Sequence, residues 1–220
     1  MIKKGNKPKH SERKYLLLAA WRISETLKAR FSISQKGSEL DLLLPAFAET
    51  YRFENSEEET DEKLYQRGRA QRHFMSHDIR ADDVNRKDNL EIYVARLHML
   101  NHAIAAGVPT NATWYVLNFL KTHFGITQKG SELDLLLPAL AGTYQGSDEE
   151  TDQELMPRHT ALVDHVSQEF GRPWLKVDEP DRRNKIERFV ARLQEQNRRQ
   201  KVREEESQRP SGKANKSNVD

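Results

Sequence analysis

Two pairs of histidines in this chain have the spacing of a metal site on a helix. His73 and His77, like His98 and His102, are four residues apart, so both imidazoles of a pair would share one helical face. The glutamate of the metalloprotease motif HExxH is absent from both pairs, and no third ligand is specified. With eight histidines in helical sequence, such pairs also arise by chance. We therefore interpret them as surface or part-buried histidines and predict no metal site.

Other reactive groups give no specific signal. The chain has no cysteine, which excludes thiolate zinc sites, thiol nucleophiles and a disulfide framework. It also lacks the phosphate loop GxxxxGK[ST], the dinucleotide fingerprint GxGxxG and the nucleophile elbow GxSxG. Carboxylates are abundant, but they cluster where the start of a helix explains them. We predict a non-enzymatic protein without a cofactor.

A stretch of twelve residues, QKGSELDLLLPA, occurs twice without a difference, at Gln35 to Ala46 and at Gln128 to Ala139. Packing would keep its leucines but would tolerate exchange among Leu, Ile and Met, and exposed polar positions should vary. One interpretation is shared helix geometry after a recent duplication. In the other, both copies present the same surface to equivalent sites on a partner. The residues of that surface would be Lys36, Glu39, Leu42, Lys129, Glu132 and Leu135.

The segments around this motif are helical. Apolar spacings of three and four predict a first helix from Tyr15 to about Phe31. Trp21 lies on its apolar stripe, and Trp114 has the matching position 93 residues later, so we expect both in the core. Trp174, in a predicted loop, is expected to be exposed.

The motif itself predicts the second helix of this series. Ser38 is the predicted N-cap, with Asp41 completing a capping box, and Pro45 predicts a kink or a division into two short helices. An acidic run with a capping box at Ser56 and Glu59 begins a third helix, and a fourth ends near residue 107.

The same order of helices then occurs again. The first-helix pattern and the motif recur at an offset of 93 residues, the capping box recurs at Ser147 and Glu150, and YVARL of the fourth helix recurs as FVARL at an offset of 96. The predicted fold is all-α, a tandem duplication of a roughly four-helix unit, arranged as two domains or as one bundle. The boundaries are a flexible basic arm at 1–14, unit one at 15–107, unit two at 108–200 and a disordered charged tail at 201–220.

The two ends of the chain are basic and its body is acidic. Residues 1–14 carry six Lys or Arg against one acidic residue, residues 198–220 carry seven against four, and residues 15–197 carry 23 against 29. Unless the ends are only solubilising tails, nucleic-acid contacts would fall on Lys3, Lys4, Lys7, Lys9, Arg198, Arg199 and Lys201. Apolar runs are too short for a bilayer span, and the N-terminus lacks an apolar signal segment. We expect a soluble, cytoplasmic protein without membrane contact.

Three classes of function are consistent with these features. The first is a non-enzymatic regulatory or adaptor protein that binds a macromolecular partner, most simply a protein, through two equivalent helical surfaces. The second is a DNA- or RNA-binding regulator that uses the basic tails and the paired motif helices, as helix-turn-helix dimers do. An enzyme is the third, and it would need a carboxylate pair in a cleft or a cofactor.

Overall fold

A computed structural model of the chain describes residues 10–51, 65, 68, 79–146 and 150–208. Within these residues the chain forms seven α-helices and no strand. The helices are α1 (His10–Phe31), α2 (Ser38–Thr50), α3 (Arg86–Ala105), α4 (Thr113–Phe124), α5 (Ser131–Thr143), α6 (Asp152–Phe170) and α7 (Arg182–Gln208). The predicted all-α class is confirmed.

A central pair of helices forms the middle of each half of the chain. α2 packs along α3 in the first half and α5 along α7 in the second, while α4 contacts both α3 and α6. The buried apolar side chains of both halves belong to a single core. Aromatic rings in contact mark its centre in each half: Phe31, Phe47 and Tyr93 in the first, and Phe119, Phe124 and Phe189 in the second.

α1 ends where the sequence predicts and buries Leu27 and Phe31 of the predicted stripe, but in its first half a different face meets the core. Its core-facing positions lie four residues apart: Tyr15, Ala19, Ile23, Leu27 and Phe31. Trp21 lies off this face and is 60% exposed, and Trp114 on α4 is 39% exposed. The prediction that both tryptophans are buried is therefore wrong, because α1 has apolar residues on more than one face and the largest of them does not mark the buried one. Trp174 is exposed, as predicted.

α2 and α5 begin one residue earlier than a serine cap would place them. Gly37 is the N-cap of α2, and its carbonyl accepts the first helical hydrogen bond from the N–H of Asp41 at 3.1 Å. Ser38 is already inside the helix and caps nothing, so the predicted capping box is wrong; Gly130 has the same place before α5. α2 runs without a break through Pro45, so the predicted division into two short helices does not occur.

α6 begins with a capping box four residues after the predicted one. The carboxylate of Glu154 accepts hydrogen bonds from the N–H and the hydroxyl of Thr151, each at 2.7 Å. Glu150, which the sequence assigns to this role, lies before the helix, and its carboxylate accepts a hydrogen bond from Arg158 at 2.6 Å. Glu150 follows Ser147 by three residues, and Glu154 follows Thr151 by three, so both pairs have the spacing of a capping box. Only one pair can begin the helix, and the prediction chose the wrong one.

The ends of the chain are partly helical. α1 begins at His10, inside the predicted arm, and α7 continues through residues 201–208 of the predicted tail. Residues 1–9 and 209–220 lie outside the described part, as do the box of Ser56 and Glu59 and the pair His73 and His77, so those predictions stay predictions. No helix in the described part is long and apolar enough to cross a membrane.

Candidate interaction surface

The glutamate of the first motif copy is held by an arginine of the same half. Arg86, at the start of α3, donates from Nε and Nη2 to the two carboxylate oxygens of Glu39, each at 2.6 Å. The guanidinium also donates to the carbonyls of Phe31 at 2.7 Å and Ile79 at 2.8 Å. These hydrogen bonds and the positive charge lower the pKa of Glu39, although partial burial opposes the shift. One side chain thus joins the end of α1, the start of α2 and the segment before α3.

The second half repeats this arrangement. Arg182, at the start of α7, donates from Nε and Nη2 to Glu132, each at 2.8 Å. It also donates to the carbonyl of Phe124 at 2.6 Å and to that of Leu175 at 3.2 Å. We call the pair of Arg86 with Glu39 and the pair of Arg182 with Glu132 the arginine clamps.

An asparagine forms a second repeated contact. Asn101 on α3 donates to the carbonyl of Ala46 at 3.1 Å, and Asn197 on α7 donates to that of Ala139 at 2.9 Å. The sequence analysis missed both asparagines and both clamp arginines. The signal for them was present, since each pair is the same residue type at the offset of 96 that relates YVARL to FVARL. An analysis of apolar periodicity gives no weight to such polar identities.

The two halves meet where the last turns of α2 and α3 face the start of α5. Nζ of Lys129 is 3.8 Å from Oε1 of Glu49, and Nε2 of His102 is 2.7 Å from Oδ1 of Asp134. We call these two contacts the seam. Burial raises the pKa of Glu49, but hydrogen bonds from His98 and other neighbours, with the charge of Lys129, outweigh it and lower the pKa overall. The first half thus supplies an anion for the lysine and an imidazole for the aspartate.

The histidine pair on α3 serves these contacts. Nδ1 of His98 lies 2.8 Å from Oε2 of Glu49, whereas His102 contacts Asp134, so the two rings have different carboxylate partners. Among the described residues, no group of three or more His, Cys, Asp or Glu side chains could hold a metal ion.

The leucines of the two motif copies differ in exposure, although their sequences are identical. Leu44 on α2 is 43% exposed, whereas its counterpart Leu137 on α5 is 1% exposed. Leu40 is likewise only partly buried, and its counterpart Leu133 is completely buried. Packing of α2 on α3 matches packing of α5 on α7, so the difference in exposure does not come from these helix pairs.

The lysine and the aspartate of the motif are exposed in both copies but differ in their partners. Lys36 and Asp41, the counterparts of the seam residues Lys129 and Asp134, are exposed and form no ion pair with another residue of the described part. Position 20 on α1 agrees: Ala20 is exposed, whereas Thr113 at the matching place on α4 is buried. We call Lys36, Leu40, Asp41 and Leu44 the open face.

The six residues predicted to bind a partner are therefore in three different settings. Glu39 and Glu132 belong to the arginine clamps, and Lys129 belongs to the seam. Leu42 and Leu135 are partly buried against the core. Lys36 belongs to the open face, and the structure does not bring the six residues together into one surface.

A basic stripe follows the outer face of α7. Its members lie four or seven residues apart and are exposed: Arg188, Arg192, Arg199 and Arg203. Glu169 pairs with Arg192, and Glu195 lies 2.7 Å from Arg199, which reduces the net charge of the stripe. Of the predicted nucleic-acid contacts, Arg198, Arg199 and Lys201 are exposed on α7, and Lys3, Lys4, Lys7 and Lys9 lie outside the described residues.

Compared with known proteins, the chain matches no family model, no curated protein and no solved structure. Its function is therefore argued from its own residues and contacts.

Proposed function

We propose that this chain is a non-enzymatic adaptor or regulatory protein that binds a macromolecular partner with the open face. One observation carries the proposal. The leucines of this face are identical to leucines that are buried in the second half of the same chain, and its lysine and aspartate are identical to residues that have side-chain partners there. A surface of partly exposed leucines beside one cation and one anion has the composition of a protein interface, with an apolar centre and a polar rim.

The proposal includes the origin of the chain as a tandem duplication of one helical unit. Matching arginine clamps, matching asparagine contacts and the identical motif support it. In a stack of repeats, each unit covers its neighbour and a terminal unit keeps one face uncovered. The open face is this terminal face. The two motif copies then serve two purposes, one holding the halves together and the other binding the partner.

A photo-cross-linking experiment tests the proposal. A photoreactive side chain replaces Leu44, and a control variant carries it at Ile92, which is 49% exposed on α3 away from the motif. We expect one discrete protein adduct from position 44 in native extract, reduced when Lys36→Glu is added, and none from position 92. An absence of adducts at position 44, or the same adducts from both positions, would contradict the proposal.

The basic stripe on α7 favours a second candidate function, binding of DNA or RNA. Its cations lie along one helical face, where they could follow a phosphate backbone. This candidate ranks second because glutamates neutralise part of the stripe and the body of the chain is acidic. Affinity for a DNA duplex should then fall steeply with salt. In a plot of log affinity against log salt concentration, the double variant Arg188→Ala with Arg203→Ala should have a slope smaller in magnitude by about two. Binding without salt dependence would exclude it.

A further inference from the structure

The open face has charges that complement themselves. We propose that it binds the open face of a second copy of this chain, forming a dimer with two-fold symmetry. This inference rests on the proposed function and names the partner. In such a dimer every contact occurs twice, so Lys36 of one copy meets Asp41 of the other, and Asp41 of the first meets Lys36 of the second.

The seam defines what a cover for these residues must supply. Within the chain, Glu49 gives Lys129 an anion, and His102 gives Asp134 a partner that is cationic when protonated. A cover for the open face must likewise offer an anion to Lys36 and a cation or hydrogen-bond donor to Asp41. A second open face does both, and Leu40 and Leu44 of the two copies would bury each other between these charges.

The far end of the chain does not offer the same match. Gly142 stands where Glu49 would provide the anion, and a side chain there would clash, because a Cβ would lie 2.8 Å from Nδ2 of Asn197. On α7, Arg198 has the position of His102 and is exposed, with Nη2 2.8 Å from Oε2 of Glu195. The far end therefore has a cation for Asp41 but no anion for Lys36, so a second copy stacked there would repeat only half of the seam. An open chain of molecules is disfavoured against a closed dimer, in which both charges are matched.

The first helix also has an exposed apolar residue whose counterpart is buried. Leu16 on α1 is 45% exposed, whereas the residue at the matching place before α4, Pro109, is buried. Leu44 and Leu137 differ in exposure in the same sense, with the residue of the first half exposed and its counterpart buried. A dimer contact that includes α1 and α2 would restore cover to both positions.

Sedimentation equilibrium of the full chain as a function of concentration tests the dimer. We expect the wild type to associate to a dimer at concentrations up to the order of 100 µM. Lys36→Glu and Asp41→Lys should each raise the dissociation constant about ten-fold or more, because each places like charges opposite one another. The double variant exchanges the charges and should restore the wild-type constant.

Controls separate association from folding. Lys87→Glu changes an exposed lysine on α3 and should leave the dissociation constant unchanged, and circular dichroism should show full helicity for every variant. A wild type that remains monomeric, or a double variant as weak as the single ones, would overturn the dimer. If position 44 then cross-links to a different protein, or to residues 1–9 of the same chain, the second copy is not the occupant. An adduct with a different protein would leave the proposed function standing, whereas an adduct with residues 1–9 would contradict the proposed function as well.

Discussion

Arg86 and Arg182 each use a single guanidinium to bind a carboxylate and backbone carbonyls, two for Arg86 and three for Arg182. Bidentate geometry and little exposure of the arginine distinguish these pairs from the other ion pairs on the surface, which contribute little to stability. The carbonyls belong to chain segments that enter or leave helices, where backbone acceptors otherwise lack a helical partner. The two glutamates of the repeated motif are thus explained by folding.

Removing a clamp arginine should lower the free energy of unfolding. We expect Arg86→Ala and Arg182→Ala each to cost about 2 kcal/mol, because carboxylate and carbonyl acceptors lose a charged donor. Arg86→Lys should recover only part of this, since lysine cannot form the bidentate contact. Denaturant titration provides the measurement, with Lys87→Ala as a control that should cost less than about 0.5 kcal/mol. An equal cost for Arg86→Ala and the control would contradict the role of the clamp.

Two histidines of α6 make stability depend on pH. Burial lowers the pKa of His159 and of His165, and repulsion by His123 adds to the effect at His159, whereas Glu169 opposes it at His165. Nδ1 of His159 and Nε2 of His165 are buried without a hydrogen-bond partner. In the unfolded chain the pKa of histidine is about 6.5. As the pH falls below this value, the two histidines therefore bind protons more readily in the unfolded chain than in the folded one.

We therefore expect the free energy of unfolding to be highest above pH 6.5 and to decrease as the pH falls from about 6.5 towards the lowered pKa values. Replacing both histidines by phenylalanine should flatten the profile in this range, because the rings would no longer titrate. At more acidic pH both proteins should still lose stability, since the pKa of Glu49 is lowered and its protonation weakens the seam. Parallel profiles between pH 7.5 and 5.5 would show that these histidines do not titrate on unfolding.

At the scale of helices, most of the architecture was predictable because each central helix has a continuous apolar face. α3 is an example: its periodicity predicts a buried side of Leu90, Tyr93, Val94, Leu97, Leu100 and Ile104. The first five are buried, and Ile104, in the last turn, is partly buried. Trp21 shows the limit, since α1 has apolar residues beyond its buried face and composition does not tell which face is covered. The different settings of the two motif copies could not be predicted, because identical sequence carries no information about which neighbour covers it.

The twin helices α2 and α5 allow a comparison within one molecule. Leu137→Ala should lower the free energy of unfolding by about 2–4 kcal/mol, because it opens a cavity in the core. Leu44→Ala, which changes the same position of the same twelve-residue sequence, should cost less than about 1 kcal/mol in dilute solution, where the open face is uncovered. Equal costs from denaturant titration would contradict the difference in cover.

At the scale of the whole molecule, the two halves of the chain differ in the residues that they expose. The first half exposes the open face, and α7 of the second half carries charged residues at positions that are apolar on α3. The seam between the halves shows which chemistry covers the motif, and the open face lacks that cover. The proposed partner, and the second copy inferred to be that partner, both depend on this asymmetry.

Thiol reactivity at positions 44 and 137 tests the asymmetry most directly, because the chain has no cysteine of its own. Single variants Leu44→Cys and Leu137→Cys would be labelled with a thiol reagent in dilute solution, with circular dichroism to confirm folding. We expect the cysteine at position 44 to react at a rate close to that of an unfolded control, and the cysteine at 137 to react only as fast as the protein opens. Equal reactivity of the two folded variants would contradict the account.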